Sequence, residues 1–132
     1  MIWVFCRLVI QMRKNLSITT NNLMWQDSAI VASNQKTWSN GISYCENLDF
    51  ASHTDWRLPN VNEYRSIMDY TQADYLNTIF ENVNATGQYW TSTTKAADSD
   101  FAYSISIPFK GNLVDSIKAL DSLDIRCVRS TD

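Results

Sequence analysis

The sequence has 132 residues, of which 45% are hydrophobic and only 3 are glycine and 2 proline, so it predicts one ordered domain and excludes a linker or a disordered segment. Charged residues make up 19% of the chain, and its surface therefore has to depend on asparagine, serine and threonine. The net charge of −3 provides no positive field for a polyanion, so nucleic acid is not an expected partner.

The segment 1–14 is interpreted as an N-terminal extension or an extra strand, and the remaining residues 15–132 as the single domain. Apolar residues alternate along residues 2–12, which favours a strand that pairs with the domain or with a second copy. Arg7 interrupts this run, no small-residue cleavage site follows, and the run is too short for a membrane span. We therefore expect neither a signal peptide nor a transmembrane helix here, and a homo-oligomer through residues 1–12 stays open.

The domain is expected to begin with a small hairpin. Two short strands, Leu16–Thr20 and Leu23–Gln26, flank an Asn21-Asn22 turn, because asparagine tolerates left-handed backbone geometry. A loop or one irregular turn follows over Asp27–Gln35. Apolar residues then recur at helical spacing and predict a first helix over Thr37–Leu48.

A capping pattern at its N-terminus predicts a second helix. Asn60 can cap a helix with its side-chain oxygen, and Glu63, three residues later, can reach back to the amide of the cap. Pro59 biases the residue before it away from helical geometry, so the helix is expected to begin after it. The predicted helix runs over about Val61–Tyr70.

From Tyr89 onward the pattern changes to the period-two alternation of strands. The expected strands are Tyr89–Thr93, Phe101–Ile107, Asn112–Ile117 and Ile125–Arg129. The turn at 108–111 joins the second and third of them in a hairpin. Helices early and antiparallel strands late predict an α+β fold.

The three cysteines leave one thiol over if the other two form a bond. Cys45 in the first helix and Cys127 in the last strand are the natural pair, and the alternative is two buried free thiols in a reducing compartment. Cys6, in the N-terminal extension, is then an exposed thiol or the site of a dimer cross-link.

Several short motifs appear in a recognisable order across residues 16–130. They are Leu23-Met24-Trp25-Gln26, Trp38 with Cys45, Asp55-Trp56-Arg57-Leu58-Pro59, Glu63, Tyr89-Trp90-Thr91-Ser92-Thr93 and Arg126-Cys127-Val128-Arg129. Their combination resembles the Lcl C-terminal domain family, which is named for the Legionella collagen-like adhesin and is of unknown function. The resemblance implies a C-type-lectin-like fold related to the formylglycine-generating enzymes. It also implies a Cys45–Cys127 disulfide and export from a bacterial cell to the periplasm, the cell surface or the medium.

Arg57 and Glu63 are the clearest candidates in the sequence for two interacting charged residues. One interpretation makes them ligand contacts. The other makes them a structural ion pair in which Arg57 also bonds nearby carbonyls, and we favour it because partly buried charges usually persist only when paired.

Neither a metal ion nor another cofactor is expected. His53 is the single histidine, which excludes zinc sites that need two or more. The carboxylates available for calcium lie outside any recognised calcium loop, and we interpret them as solvated: Asp49, Asp55, Asp69, Asp74, Asp98 and Asp100. Because Cys45 and Cys127 match structural positions of the family, the thiol chemistry of formylglycine-generating enzymes is not expected, and we predict that the protein is not an enzyme.

Lectin-like domains usually bind their ligands with the irregular loops between the late strands. Here these loops are Asn82–Gln88, Lys95–Asp100 and Lys118–Asp124. The candidate binding residues are Lys95, Asp98, Asp100, Tyr103 and Trp90. The ring of Trp90 either stacks on a sugar or lies in the core, and the core is favoured because large aromatic residues in strands are usually buried.

The sequence thus predicts a non-catalytic, lectin-like binding or adhesion module of an exported bacterial protein, with a carbohydrate or protein ligand. A structural domain that self-assembles through residues 1–12 is the alternative. A divergent oxidoreductase that uses Cys6 or a reduced Cys45–Cys127 pair is the least favoured hypothesis.

Overall fold

The structure is a computed structural model that describes residues 17–69, 71, 80–108 and 110–131. The N-terminal extension, with its expected strand and Cys6, lies outside the described residues. Within the described ranges, no helix has the length and apolar character that crossing a membrane requires.

The first sheet has three antiparallel strands in the order β1-β2-β8. They are β1 (Ser17–Thr20), β2 (Leu23–Gln26) and β8 (Val128–Ser130). Asn21 and Asn22 connect the first two strands with φ angles of 55° and 59°, as the predicted left-handed turn requires. The first and the last of these strands therefore lie in one small sheet, on either side of β2.

The second sheet has five strands in the order β3-β7-β4-β5-β6. They are β3 (Gln35–Lys36), β4 (Gln88–Thr94), β5 (Phe101–Ser106), β6 (Asn112–Ile117) and β7 (Leu123–Asp124). The β4–β7 pair is parallel and the other pairs are antiparallel. The two-residue strands β3 and β7 fall in segments predicted as loops, because two residues cannot display a period-two pattern.

The prediction of one continuous strand over Ile125–Arg129 is wrong in one respect. The chain leaves the five-stranded sheet after Asp124 and joins the three-stranded sheet at Val128, so it crosses from one sheet to the other. Every residue from 124 to 128 is buried, which explains why the run resembles one continuous strand. The crossing segment is fixed by a hydrogen bond of 2.9 Å from the Gln26 amide to the Cys127 carbonyl.

Both predicted helices are present. Helix α1 (Trp38–Glu46) begins one residue after the predicted Thr37, ends two residues before the predicted Leu48 and turns Gly41 and Cys45 toward the core. Helix α2 (Val61–Arg65) begins after Asn60 but ends well before the predicted Tyr70. Beyond Arg65, the amides of Ile67 and Met68 bond carbonyls three residues back instead of four, so the α-helix tightens into turns.

The core has two parts, and the five-stranded sheet contributes residues of β4 and β5 to both of them. The two helices and the mainly antiparallel sheets confirm the predicted α+β fold. The first part is rich in aromatic rings and includes Trp25, Tyr64, Phe80, Tyr89 and Ile105. The second part lies against the inner face of α1 and includes Cys45, Trp56, Leu58, Trp90, Ile125 and Cys127. Large rings fill both parts and set the positions of the surface side chains described next.

Candidate functional site

Arg57 and Glu63 form the structural ion pair that the sequence predicts. Two parallel hydrogen bonds of 2.7 Å join the guanidinium to the two carboxylate oxygens. Glu63 also accepts a hydrogen bond of 3.0 Å from the Asn60 amide, which completes the predicted capping box. Burial raises the pKa of Glu63, but the hydrogen bonds from Arg57 and Asn60 outweigh it and leave that pKa lowered.

One detail of that prediction is wrong. The Arg57 guanidinium was expected to bond nearby carbonyls, but among the described residues its further partner is the hydroxyl of Ser130 at 3.4 Å. The carbonyl contact comes instead from the main chain, where Arg57 and Val128 exchange two backbone hydrogen bonds of 2.8 and 2.9 Å. The pair thus holds the start of α2 against β8, and its charged groups are used within the fold.

The predicted disulfide between Cys45 and Cys127 is present, with 5.6 Å between the Cα atoms. Both residues are fully buried, so the bond lies inside the core and joins α1 to the segment that precedes β8. A bond of this kind fits an extracellular or periplasmic protein, because thiols stay reduced in the cytosol.

Arg126 is a buried charge whose importance the sequence prediction missed. Its guanidinium has no exposed surface and donates to the Gln26 carbonyl at 2.7 Å, to Asp27 Oδ1 at 3.1 Å and to the Asn82 carbonyl. The guanidinium carbon also lies 4.8 Å from the centroid of the Phe80 ring. The sequence signal for this site is an arginine inside the otherwise apolar run 125–128.

Asp27, the carboxylate that pairs with Arg126, extends this set of hydrogen bonds. Its carboxylate accepts hydrogen bonds from the amides of Glu81 at 2.9 Å and Asn82 at 3.1 Å, while the Asn82 side chain donates to the Asp27 carbonyl at 2.6 Å. Three distant chain segments therefore meet at one buried ion pair. Because every partner is structural, this network positions the fold and offers no open surface to a ligand.

Asp124 is a second buried carboxylate, but it has no charged partner within the described ion pairs. Its Oδ2 accepts a hydrogen bond of 2.9 Å from Asn84, whereas its Oδ1 has no partner among the described residues. Burial raises the pKa of Asp124 to about 6, against the hydrogen bonds from Asn84 and Gln35, which lower it. The folded protein therefore holds this proton more tightly than the unfolded chain does.

We expect Asp124 to make the fold more stable in mild acid than at neutral pH. Because the pKa is raised from 3.8 to about 6, the protonated group supports the fold below pH 3.8, and this support is lost as the pH rises through about 6. In Asp124→Asn the titration is absent, so the stability of wild type relative to this variant should fall by about 1–3 kcal/mol between pH 4 and pH 7. Urea unfolding of both proteins at several pH values measures this difference. A difference that does not change with pH would contradict the assignment.

Two of the three predicted binding loops meet at one end of the five-stranded sheet. The amide of Lys118 donates to the carbonyl of Asp100 at 3.0 Å, so the loop after β4 touches the loop after β6. The loop Asn82–Gln88 precedes β4 and therefore lies at the opposite end of that strand. We call the surface formed by Lys95, Asp98, Asp100 and Tyr103 the loop surface.

Two of the charged side chains of the loop surface, those of Lys95 and Asp98, are engaged in contacts within the fold. The Lys95 ammonium forms an ion pair with Asp115 and lies 5.7 Å from the ring centroid of Phe101. The hydrogen bond to Asp115 raises the pKa of Lys95. Asp98 accepts a hydrogen bond of 3.0 Å from the Asp100 amide, which closes the turn. The exposed charges of this surface therefore take part in contacts that hold the loop in place.

Trp90 belongs to the core. It has no exposed surface, and its indole nitrogen donates to the Lys36 carbonyl at 2.8 Å. The alternative of a sugar-stacking Trp90 is therefore wrong, because both faces of the ring are covered by other side chains.

The acidic residues considered for calcium are not gathered in one place. Asp55, interpreted from the sequence as solvated, pairs with Arg129, with 2.5 Å between Oδ1 and Nε. Asp69 accepts hydrogen bonds from both the amide and the hydroxyl of Thr71. Within the part of the chain that the structure describes, which leaves out Asp74, no three potential metal ligands cluster.

An open groove of about 340 Å³ lies on the outer face of α1, and we call it the α1 groove. Its lining consists of Lys36, Asn40, Ser43, Tyr44, Asn47, Leu48 and Asp49. The sequence prediction did not identify this site. The signal was available, because positions 40, 43, 44 and 47 recur at helical spacing and form one polar helix face around a single aromatic residue.

The aromatic residue of the groove, Tyr44, is held firmly. Its hydroxyl accepts a hydrogen bond of 3.0 Å from the side chain of the buried Gln26, whose own oxygen accepts one of 3.2 Å from the Cys127 amide. Its neighbour Cys45 carries the disulfide to the same segment. The ring is half-buried, and the ammonium of Lys36 lies 5.4 Å from its centroid.

Comparison with curated proteins finds no match for this chain. The family model of the Lcl C-terminal domain matches residues 18–129. This match extends from the first strand of the small sheet to its last and includes the disulfide, the capping box, the buried arginine and the α1 groove. The chain therefore belongs to the Lcl C-terminal domain family.

Proposed function

We propose that this domain is a non-catalytic binding or adhesion module of an exported bacterial protein and that its ligand is a carbohydrate. The α1 groove carries the proposal, because it presents the ring of Tyr44 among amide and hydroxyl side chains. Sugars offer an apolar face of C–H groups for an aromatic ring and a rim of hydroxyl groups for hydrogen bonds. The lining supplies both kinds of contact, and the ring is already fixed before a ligand arrives.

Export is supported by the buried disulfide, which is typical of oxidising compartments. The proposal that the domain is non-catalytic is supported by the structural roles of its arginines and cysteines. Arg57, Arg126 and Arg129 each bind a carboxylate within the fold, and Cys45 and Cys127 are bonded to each other. The proposal takes the α+β fold as C-type-lectin-like, in line with the family resemblance of the sequence.

The proposal predicts that the oxidised full-length chain binds glycans through Tyr44. A glycan array identifies ligands, and calorimetric titration of the best one gives its affinity. Tyr44→Ala should weaken binding by about tenfold or more, since a stacked ring at the centre of a site commonly contributes more than 1.4 kcal/mol. Tyr103→Ala removes an equivalent ring from the loop surface and should leave the affinity close to that of wild type.

Two results would contradict this prediction. The absence of any glycan ligand on the array would overturn the carbohydrate proposal. Loss of binding in Tyr103→Ala, with Tyr44→Ala unaffected, would keep the carbohydrate proposal and move its site to the loop surface. Circular dichroism of each variant shows whether a loss reflects unfolding.

A further inference from the structure

Asn40 is the one asparagine of the sequence that a glycine follows. In such a pair the backbone nitrogen of the glycine can attack the side-chain amide carbon of the asparagine, because glycine has no side chain that hinders the approach. Asn40 is exposed on the outer face of α1, whereas Gly41 is buried against the core. A pair of residues that is chemically reactive in an unfolded chain therefore lies in the first half of a helix.

The packing of α1 requires this glycine. A Cβ atom at position 41 would collide with the side chain of Ile125, a core residue in the segment that precedes β8. This close approach of the helix to the core explains a glycine inside a helix, where it is otherwise unfavourable. Any larger residue at position 41 would hinder the attack on Asn40, but it would also displace Ile125.

In the folded domain the helix prevents the reaction. The N–H group of the attacking nitrogen, that of Gly41, donates to the Thr37 carbonyl at 2.8 Å. Helical backbone angles also hold this nitrogen away from the side-chain carbon of Asn40, and ring closure requires rotation of the Asn40 backbone out of those angles. The reaction therefore needs the first turns of α1 to open.

The opening of α1 depends on its contacts with the rest of the domain. The helix has nine residues, too few for a stable helix on its own in water. The Cys45–Cys127 disulfide lies one turn after Gly41 and joins α1 to the segment that contains Ile125. Without this bond only non-covalent contacts hold α1, so the helix should open more often. The disulfide therefore controls how often Asn40 can be attacked.

We infer that Asn40 is a latent deamidation site that the disulfide-anchored helix α1 protects. When α1 opens, the deprotonated nitrogen of Gly41 forms a bond to Cγ of Asn40, and the Cγ–Nδ2 bond breaks. This step releases ammonia and leaves a five-membered succinimide ring. Water then adds to either carbonyl carbon of the ring and opens it to aspartate or to isoaspartate. The net reaction consumes one water molecule and involves no change of oxidation state.

The modification changes the α1 groove, because Asn40 belongs to its lining. Aspartate adds a negative charge to this lining. Isoaspartate lengthens the backbone by one methylene group and so interrupts the regular hydrogen bonds of α1 just before Tyr44. Opening of the helix is thus converted into an irreversible change of the groove. The inference concerns the chemistry of α1 and holds whichever ligand the groove binds.

The test compares two oxidised full-length proteins, the Cys6→Ser parent and the variant that also carries Cys45→Ala and Cys127→Ala. Both are incubated at mildly alkaline pH, and peptide mapping by mass spectrometry measures the conversion of each asparagine. We expect Asn40 to react at least about tenfold faster in the variant without the disulfide. In the parent unfolded in urea, Asn40 should be the asparagine that reacts fastest. Asn40→Gln is the matched control, because its longer side chain does not close the five-membered ring.

Equal rates at Asn40 in the two proteins without urea would overturn the protective role of the disulfide. Faster reaction of another asparagine in urea, or no reaction of Asn40 there, would overturn the assignment of the site. A second measurement decides the case in which the variant without the disulfide does not fold. In the oxidised parent, opening of α1 exposes the Gly41 amide to solvent and to Asn40 alike, so hydrogen exchange of this amide and deamidation should rise together as urea is added. Deamidation that does not follow this exchange would contradict the inference.

Discussion

Replacing Arg126 with methionine is expected to lower the free energy of unfolding by about 3–5 kcal/mol. The guanidinium is fully buried, and its removal leaves the carboxylate of Asp27 in the core without its counter-charge. It also removes the donors of two buried carbonyls, those of Gln26 and Asn82. Typical domains have only 5–15 kcal/mol of stability, so this loss should be visible as a large shift in the urea midpoint of the oxidised protein.

The matched control is Arg129→Met, three residues further along the same segment. Arg129 also pairs with an aspartate, but the side chain of that aspartate, Asp55, is 61% exposed to solvent. Water can replace a lost partner at such a site, so Arg129→Met should lower the free energy of unfolding far less than Arg126→Met does. Equal losses in the two variants would show that burial of the Arg126–Asp27 pair is not what makes it important. A variant Arg126→Met that does not fold agrees with a loss at the upper end of the expected range.

A second comparison of stabilities separates the effect of the missing counter-charge from the effect of the lost side-chain volume. In Arg126→Met the unpaired carboxylate of Asp27 remains, whereas in the double variant Arg126→Met with Asp27→Asn it does not. The asparagine oxygen can still accept one of the hydrogen bonds from the amides of Glu81 and Asn82. The double variant is therefore expected to be more stable than Arg126→Met alone, because the two effects are coupled through one network.

The features that the sequence predicted correctly depend mostly on short distances along the chain. Glu63 lies six positions after Arg57 and three after Asn60, so local geometry alone brings the three groups together. The Asn21-Asn22 turn and the β5–β6 hairpin are also local and carry their own turn residues. Such signals are visible in sequence because no other part of the chain is needed to form them.

The features that it missed depend on contacts between distant segments. Arg126 and Asp27 are 99 positions apart, and nothing near either residue identifies its partner. The strand β7 exists only because the chain at 123–124 is placed between β3 and β4. The disulfide, with a separation of 82 positions, was predictable only because cysteines are few and the family resemblance favoured the pair.

The candidate site likewise combines a pattern that is visible in the local sequence with contacts between distant segments that are not. The polar face of α1 follows from its sequence spacing, but a polar face is the usual solvent side of any helix. It becomes a groove only because β3 places Lys36 beside Tyr44, and because Gln26 from another sheet holds the Tyr44 hydroxyl. The predicted loop residues were chosen by analogy with lectin-like domains, and at least Lys95 and Asp98 are engaged with neighbours in the fold.

Removal of the disulfide should have an effect as large as that of Arg126→Met. Cys45 and Cys127 close a loop of 82 positions, for which chain entropy alone corresponds to roughly 4–5 kcal/mol of stability. The double variant Cys45→Ala with Cys127→Ala, made in a Cys6→Ser background to prevent new pairings, should unfold at a much lower urea concentration than the Cys6→Ser parent. The measurement is urea unfolding followed by tryptophan fluorescence.

The bond should also matter locally, because it links α1 covalently to the segment that precedes β8. The other contacts of α1 with the rest of the domain are non-covalent and include the apolar packing around Cys45, the hydrogen bond from Gln26 to the Tyr44 hydroxyl and one of 2.9 Å from the Trp38 indole to the Thr91 carbonyl. Without the disulfide, hydrogen exchange should therefore accelerate in α1 more than in β5 and β6, and any glycan affinity that depends on Tyr44 should fall with it. Equal acceleration throughout the chain would show that the bond acts on the unfolded state alone. An unchanged urea midpoint would contradict the stabilising role of the disulfide itself.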